Sequence, residues 1–185
     1  QDACDYLKKF RLKVFSKTVE EIDSLNLADF SFINLEFVLE HIRDPYSVLQ
    51  KLYGLLLPGG IIRVCVPNDF SQGQMAYQEH YREKLRWVCL PDHINYFNFE
   101  SLEKLIKKIG FKEVYRTTNF PLEFLLMAGI NYYANPEEQA KVSPFITNIQ
   151  NSFIKTGRED QLKRLYEHLA QLGFGRSIFM YAIKE

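Results

Sequence analysis

The period of apolar and polar positions changes several times along the chain, and each change marks an element. Ala3, Leu7 and Phe10 recur at helical spacing, so residues 1–10 read as the end of a helix. Leu12 and Val14 alternate with charged residues, which predicts a short strand over 12–15. Thr18-Val19-Glu20-Glu21 sets a glutamate three residues after a threonine, the pattern of a helix N-terminus. Phe30 to Leu35 is a compact apolar run preceded by Asp29 and reads as a buried strand. Asp44 caps and Pro45 begins a helix to about Leu56, with Val48, Leu49, Leu52, Leu55 and Leu56 as its buried stripe.

Pro58-Gly59-Gly60 stops that helix and turns the chain into Ile61–Val66, a β-branched central-strand pattern ended by Pro67-Asn68-Asp69. Residues 69–98 are irregular and polar-aromatic, with a short helix over 74–84. Asn98 caps a helix over 99–109 that Gly110 closes. Lys112–Thr117 reads as a strand. Residues 121–172 are helical in pattern with breaks at Pro136 and Pro144, and the last strand, Ser177–Ile183, follows Gly173 and Gly175. Strands and helices alternate, with crossovers longer than about ten residues. That predicts an α/β protein, a mainly parallel sheet with helices on both faces. Residues 1–120 form its main unit and 173–185 its closing strand. The stretch 121–172 is long for a connection and is the candidate substrate-facing insertion or lid.

Composition narrows the classes. Basic and acidic residues number 23 each, so the formal net charge is zero. That offers no electrostatic case for nucleic acid or anionic lipid. Three cysteines with no CxxC spacing argue against a disulfide framework or a cysteine-held zinc site, and fit a reducing cytoplasm. Leu55-Leu56-Leu57 ends at Pro58, far too short to span a membrane. Fifteen phenylalanines and eleven tyrosines exceed what a minimal core needs, so some can serve a ligand pocket.

An ordered series of segments resembles the class I S-adenosylmethionine-dependent methyltransferases. It comprises Asp29–Leu35, Val38-Leu39-Glu40-His41-Ile42, Asp44-Pro45, Leu57-Pro58-Gly59-Gly60 with the strand to Asn68, Asp92–Phe97, and Ser101-Leu102 through Gly110-Phe111. In that family these correspond to the fourth strand, a helix opening with LEH, the fifth strand, and a helix leading to the sixth. The final strand is antiparallel. The resemblance implies a Rossmann-like sheet, S-adenosylmethionine as cofactor and a small-molecule methyl acceptor. The family's glycine-rich loop and the acidic residue after its second strand find no match here. Gln1-Asp2-Ala3-Cys4 resembles the helix that follows them. On this reading the first two strands, which lie between the third and fourth in the family, are missing. About 14 Å would then separate the strand at 12–15 from that at 30–35, leaving the latter as an exposed edge that could pair with a second copy. The fragment alone is expected to be inactive. The rival expectation is a non-catalytic methyltransferase-like binding or assembly domain without cofactor.

The resemblance also implies site residues. Thr18 and Val19 match the loop that meets adenine, although Thr18 equally caps a helix. Asn34, Leu35 and Glu36 lie at the carboxyl end of a strand, where doubly wound sheets bind ligands, and match the cofactor's amino-acid end. Asn68, Asp69, Tyr96 and His41 are expected to face substrate. His93 is the candidate general base, since imidazole accepts a proton near neutral pH. It could equally tie the loop to the sheet. Trp87, Tyr77, Tyr81, Phe124, Met127, Tyr132 and Tyr133 are candidate pocket walls. Glu40-His41 suggests a metal, but Phe37 stands where related sequences carry a third ligand, so no metal is expected.

Overall fold

The computed structural model describes residues 3–82 and 87–185. Its sheet has four strands: β1 (Phe30–Glu36), β2 (Leu56–Pro67), β3 (Phe111–Thr118) and β4 (Ser177–Lys184), in the order β1-β2-β4-β3. β1 and β2 are parallel, whereas β4 runs antiparallel to both β2 and β3. Three strands therefore point one way and the last returns between two of them.

Each element follows from its residues. A first helix, α1 (Ala3–Lys8), is followed by a 3₁₀ turn at Val19–Leu25, where the Thr18 N–H donates to Glu21 Oε2 at 3.1 Å. α2 (Pro45–Leu55) starts on Asp44, whose carboxylate accepts from the Ser47 N–H at 3.1 Å, and buries Val48, Leu49 and Leu52. Leu57–Gly60 bulge out between β1 and β2, so that Phe30 opposes Leu56 while Phe32 opposes Ile61. A Cβ on Gly60 would stand 2.8 Å from the Leu57 carbonyl oxygen, so only glycine fits this bulge. α3 (Gln72–Tyr81) is capped by Ser71. The predicted continuation of α3 to Lys84 lies outside the described residues, as do Gln1 and Asp2. α4 (Phe99–Ile109) carries the expected Asn98–Ser101 exchange at its start and left-handed Gly110 at its end.

Alternation along the central strands builds the core. Ile62, Val64 and Val66 of β2 and Ile178, Met180 and Ala182 of β4 are buried with Leu49, Leu52, Leu102 and Ile106 from the helices. The opposite sheet face is aromatic and polar, with Arg63 lying 5.2 Å from the Phe179 ring centroid. Consecutive residues of β3 separate the two helical layers. Arg116 reaches Glu103 of α4 at 2.7 Å, while the Tyr115 hydroxyl donates to Glu167 of α7 (Glu159–Gln171) at 2.9 Å.

Two expectations are corrected. Residues 12–15 form no strand. β1 is the sheet edge, and among the described residues nothing stands beside it to accept a strand's hydrogen bonds. Pro144 does not break its helix: α6 (Pro136–Ile154) runs through it. α6 has no buried residue, so the backbone bond lost at Pro144 disturbs no packed core. At Pro136 the expected break does fall on a helix boundary: α5 (Glu123–Met127) has ended before it, and Pro136 opens α6 behind Asn135. A second apolar cluster joins Tyr77 of α3, Leu125 and Leu126 of α5 (Glu123–Met127), and Tyr132, with Val142 of α6 packed against it. No described helix is long and apolar enough to cross a membrane.

Candidate functional site

β1 and β2 end on the same edge, and antiparallel β4 begins there. Asn68 follows β2 and is fully buried. Its side-chain amide donates to the carbonyls of Gly173 (3.1 Å) and Gly175 (2.9 Å), and its N–H to that of Arg176 (3.0 Å). Gly175 has φ +107°, and a Cβ there would stand 1.8 Å from Thr118 Oγ1. Asn68, predicted to face substrate, thus clamps the entry of β4.

Asp69 sits beside this clamp in a different setting. Its N–H donates to the Phe97 carbonyl at 2.7 Å; among the described residues its carboxylate is paired with Arg176, at 3.8 Å, and Oδ2 has no hydrogen-bond partner. Burial pushes its pKa from 3.8 up to about 6; Arg176 pulls down, and Glu40 and Glu123 push it further up. Glu123, at the start of α5, is buried too, and burial raises its pKa against the pull of Arg176. Sequence reasoning missed Glu123 and Arg176. The available signals were an acid inside the apolar run Pro121–Met127 and an arginine directly after a glycine at a strand entrance.

A third buried carboxylate, Glu40, lies in a 3₁₀ turn, Leu39–His41, after β1. Neither of its oxygens is hydrogen-bonded to another residue, and burial raises its pKa while His41 and His93 lower it. The loop before α4 closes over this turn. Asn95 donates from its side chain to the carbonyls of Leu39 (3.2 Å) and Ile42 (2.5 Å), and the N–H groups of Ile94 and Asn95 both donate to the Glu40 carbonyl. Asn95, which the sequence reading includes in the Asp92–Phe97 segment without giving it a role, is therefore the side chain that anchors the loop. His41 donates from Nδ1 to the Asp92 carbonyl at 2.7 Å, and its ring stands edge-on to His93 with centroids 5.0 Å apart. Tyr96 neighbours both: its ring centroid is 6.4 Å from that of His93 and 6.0 Å from that of Phe70. Phe70 in turn meets Trp87. His41 is thus brought to the loop that carries His93 and Tyr96, more than fifty residues further along the chain.

The predicted cofactor residues fall in two groups. Asn34 and Glu36 project from the same side of β1, and Arg63 of β2 donates to Asn34 Oδ1 and Glu36 Oε2, each at 2.7 Å. The Arg63 guanidinium and the Asn34 amide hold the Glu36 carboxyl below its usual range. Leu35 points the other way into the core. Thr18 bonds within its own turn, and Val19 packs against the main core. Arg63 already occupies Asn34 Oδ1 and Glu36 Oε2, so the second oxygen of exposed Glu36 is the acceptor at this strand end that fits a cationic group such as the ammonium of the cofactor's amino-acid end, and exposed Phe37, at φ +53°, adds an apolar surface.

A cleft of about 610 Å³ opens on the same edge. Leu122, Tyr132, Tyr133, Val142 and Ile146 give it apolar walls, and Arg176 is its charged group. Tyr132 and Tyr133 are therefore pocket walls as expected of aromatic residues in this stretch. Tyr77 instead joins the apolar cluster beneath.

Residues 3–115 match the family model described as a methyltransferase domain. Solved structures share the fold. A SAM-dependent methyltransferase from Archaeoglobus fulgidus is 19% identical over 92% of this chain and 66% of its own, with a TM-score of 0.51. A possible histamine N-methyltransferase from Thermotoga maritima is 17% identical over 96% and 67%, with a TM-score of 0.53. The cyclase SpnF is 16% identical over 98% and 61%, with a TM-score of 0.51. This chain thus spans about two thirds of the length of these proteins. A search of curated proteins found no match. The chain belongs to the class I S-adenosylmethionine-dependent methyltransferase family.

Proposed function

We propose that the protein transfers a methyl group from S-adenosylmethionine to a small molecule bound in the cleft at the carboxyl edge of the sheet. The carrying observation is that cleft: apolar walls around Arg176, which lies 3.8 Å from buried Asp69. Cofactor contacts are assigned to Asn34, Leu35 and Glu36 at the end of β1 and to Thr18 and Val19 on the preceding turn. When bound, S-adenosylmethionine supplies a methyl group already activated on a sulfonium. The protein's task is then alignment and exclusion of water. Tyr132, Tyr133 and the stretch 121–172, which carries α5, α6 and α7, serve as the lid over the acceptor. Asp69, His41 and Tyr96 orient it, with Asn68 fixing the loop beneath. His93, with Nδ1 buried and without a hydrogen-bond partner, is the group assigned to take the acceptor's proton. The cysteine spacing, with no CxxC pair among Cys4, Cys65 and Cys89, accords with a cytoplasmic setting.

Isothermal titration of the full chain with S-adenosylhomocysteine tests the reading, followed by a methyl-release assay on a panel of small amines, phenols and acids. Saturable binding that Glu36→Ala weakens at least tenfold is expected. An absence of heat and of any thermal shift would overturn it.

A second reading is favoured by one observation: Phe32 is half exposed on the open edge strand β1. An assembly domain pairing through that edge predicts a dimer by light scattering that Ile33→Lys splits.

A further inference from the structure

We propose that Glu40, His41 and His93 form a binding site for one divalent transition-metal ion of the zinc type. The sequence argues against a metal because Glu40-His41 lacks a third ligand on its own turn, where Phe37 stands. The tertiary structure brings His93 to the pair from a loop more than fifty residues away. One ligand atom from each of the three lies within 4.8 Å of the others, and Glu40 Oε1 is 4.0 Å from His41 Nε2. Donors around a tetrahedral zinc stand about 3.4 Å apart, so side-chain movements of roughly 1 Å complete the geometry.

Three independent features point the donors inward. The Glu40 side chain is 1% exposed, and neither oxygen is hydrogen-bonded to another residue. A carboxylate so placed has lost its water without gaining a donor, which is costly unless a cation meets it. His93 Nδ1 is likewise buried and unpartnered. His41 donates from Nδ1 to the Asp92 carbonyl at 2.7 Å, which fixes the neutral tautomer whose free lone pair is on Nε2, the atom facing Glu40. Metal-bound histidines are oriented in this way by a carbonyl behind them. Two imidazoles and one carboxylate favour zinc and its neighbours over magnesium, which prefers an all-oxygen shell.

The His41 side chain is 45% exposed, which leaves the fourth coordination position open to solvent. Water or an acceptor oxygen would take that position, and with the ion bound His93 is a ligand rather than the base for the acceptor's proton; this role rests on the methyl-transfer reading, whereas metal uptake does not.

The test uses the full chain with Cys4→Ser and Cys89→Ser, so that no accessible thiol competes. Calorimetric titration with Zn²⁺ is expected to give one ion per chain. Glu40→Gln, His41→Ala and His93→Ala should each weaken uptake at least tenfold, while His80→Ala leaves it unchanged. Co²⁺ should give the intense visible bands of a four-coordinate site, lost in His93→Ala. His41 is at the surface, so His41→Ala keeps the test valid if Glu40→Gln does not fold. No stoichiometric uptake, or uptake unaltered in His41→Ala and His93→Ala, would overturn the proposal. Uptake without cofactor binding would sink the methyl-transfer reading alone.

Discussion

Asn68 and Asp69 are neighbours, both fully buried at the end of β2, yet they face opposite kinds of surroundings. Around Asn68 the buried polar groups are mostly partnered: its amide holds Gly173 and Gly175, and Thr118 Oγ1 donates to the Ser177 carbonyl at 2.6 Å. Around Asp69 they are not. Oxygens of Asp69, Glu40 and Glu123 lack hydrogen-bond partners, with Arg176 as the neighbouring counter-charge. The first region is framework: Asn68 Oδ1 is left without a partner, but the bonds from its amide and backbone N–H fix one geometry. The second keeps groups in a state unfavourable to folding, and such groups concentrate where a ligand is to be met.

Four experiments sharpen the contrast. The largest effect is expected on the framework side. Gly175→Ala combines a strained φ with a methyl inside Thr118, and should lower stability by about 4 kcal/mol or prevent folding. Urea denaturation reads this, and a loss below about 1 kcal/mol, the size of an ordinary point substitution, would show that the clamp yields.

Asp69→Asn should do the reverse. Asp69 ionises near pH 6 when folded and near 3.8 when unfolded. The carboxyl is therefore tolerated in full below about pH 3.8, and stability is lost as pH rises through 6. The asparagine variant escapes that loss, gaining at most about 3 kcal/mol above pH 7 and nothing near pH 3.5. Melting curves across that range check it; a gain independent of pH would contradict the assignment.

Asn68→Ala removes two side-chain bonds and leaves two carbonyls unmet, a destabilisation of about 2 kcal/mol. Comparison with Asp69→Asn at pH 8 gives opposite signs at adjacent residues. The smallest effect belongs to the exposed Glu100–Lys104 pair on α4. Lys104→Ala should leave the melting temperature unchanged within error, which calibrates the other three.

Much of this architecture could be read from the chain. α4 was bounded correctly because its signals are local: Asn98 and Ser101 exchange bonds, Leu102 and Ile106 set the period, and Gly110 supplies the left-handed stop. The strand at 12–15 was misread because its alternation is real, whereas strand formation depends on a neighbour outside the segment. The break expected at Pro144 fails for the complementary reason: Pro144 is on the exposed side of a helix that has no fully buried residue, so one missing bond does not end it.

The site divided along the same line. His41, His93 and Tyr96 were legible as chemistry-bearing side chains, but their meeting was not. Nor was the loop's anchor at Asn95, nor the unpartnered state of Glu40. Periodicity, caps and turn residues act over a few positions, so the sequence alone determined the elements and the family. Burial of carboxylates, the approach of Gly175 to Thr118 and the convergence of Glu40, His41 and His93 arise between segments 50 or more residues apart. Only packing of the sheet and its loops brings those partners together, so only the tertiary structure decided them.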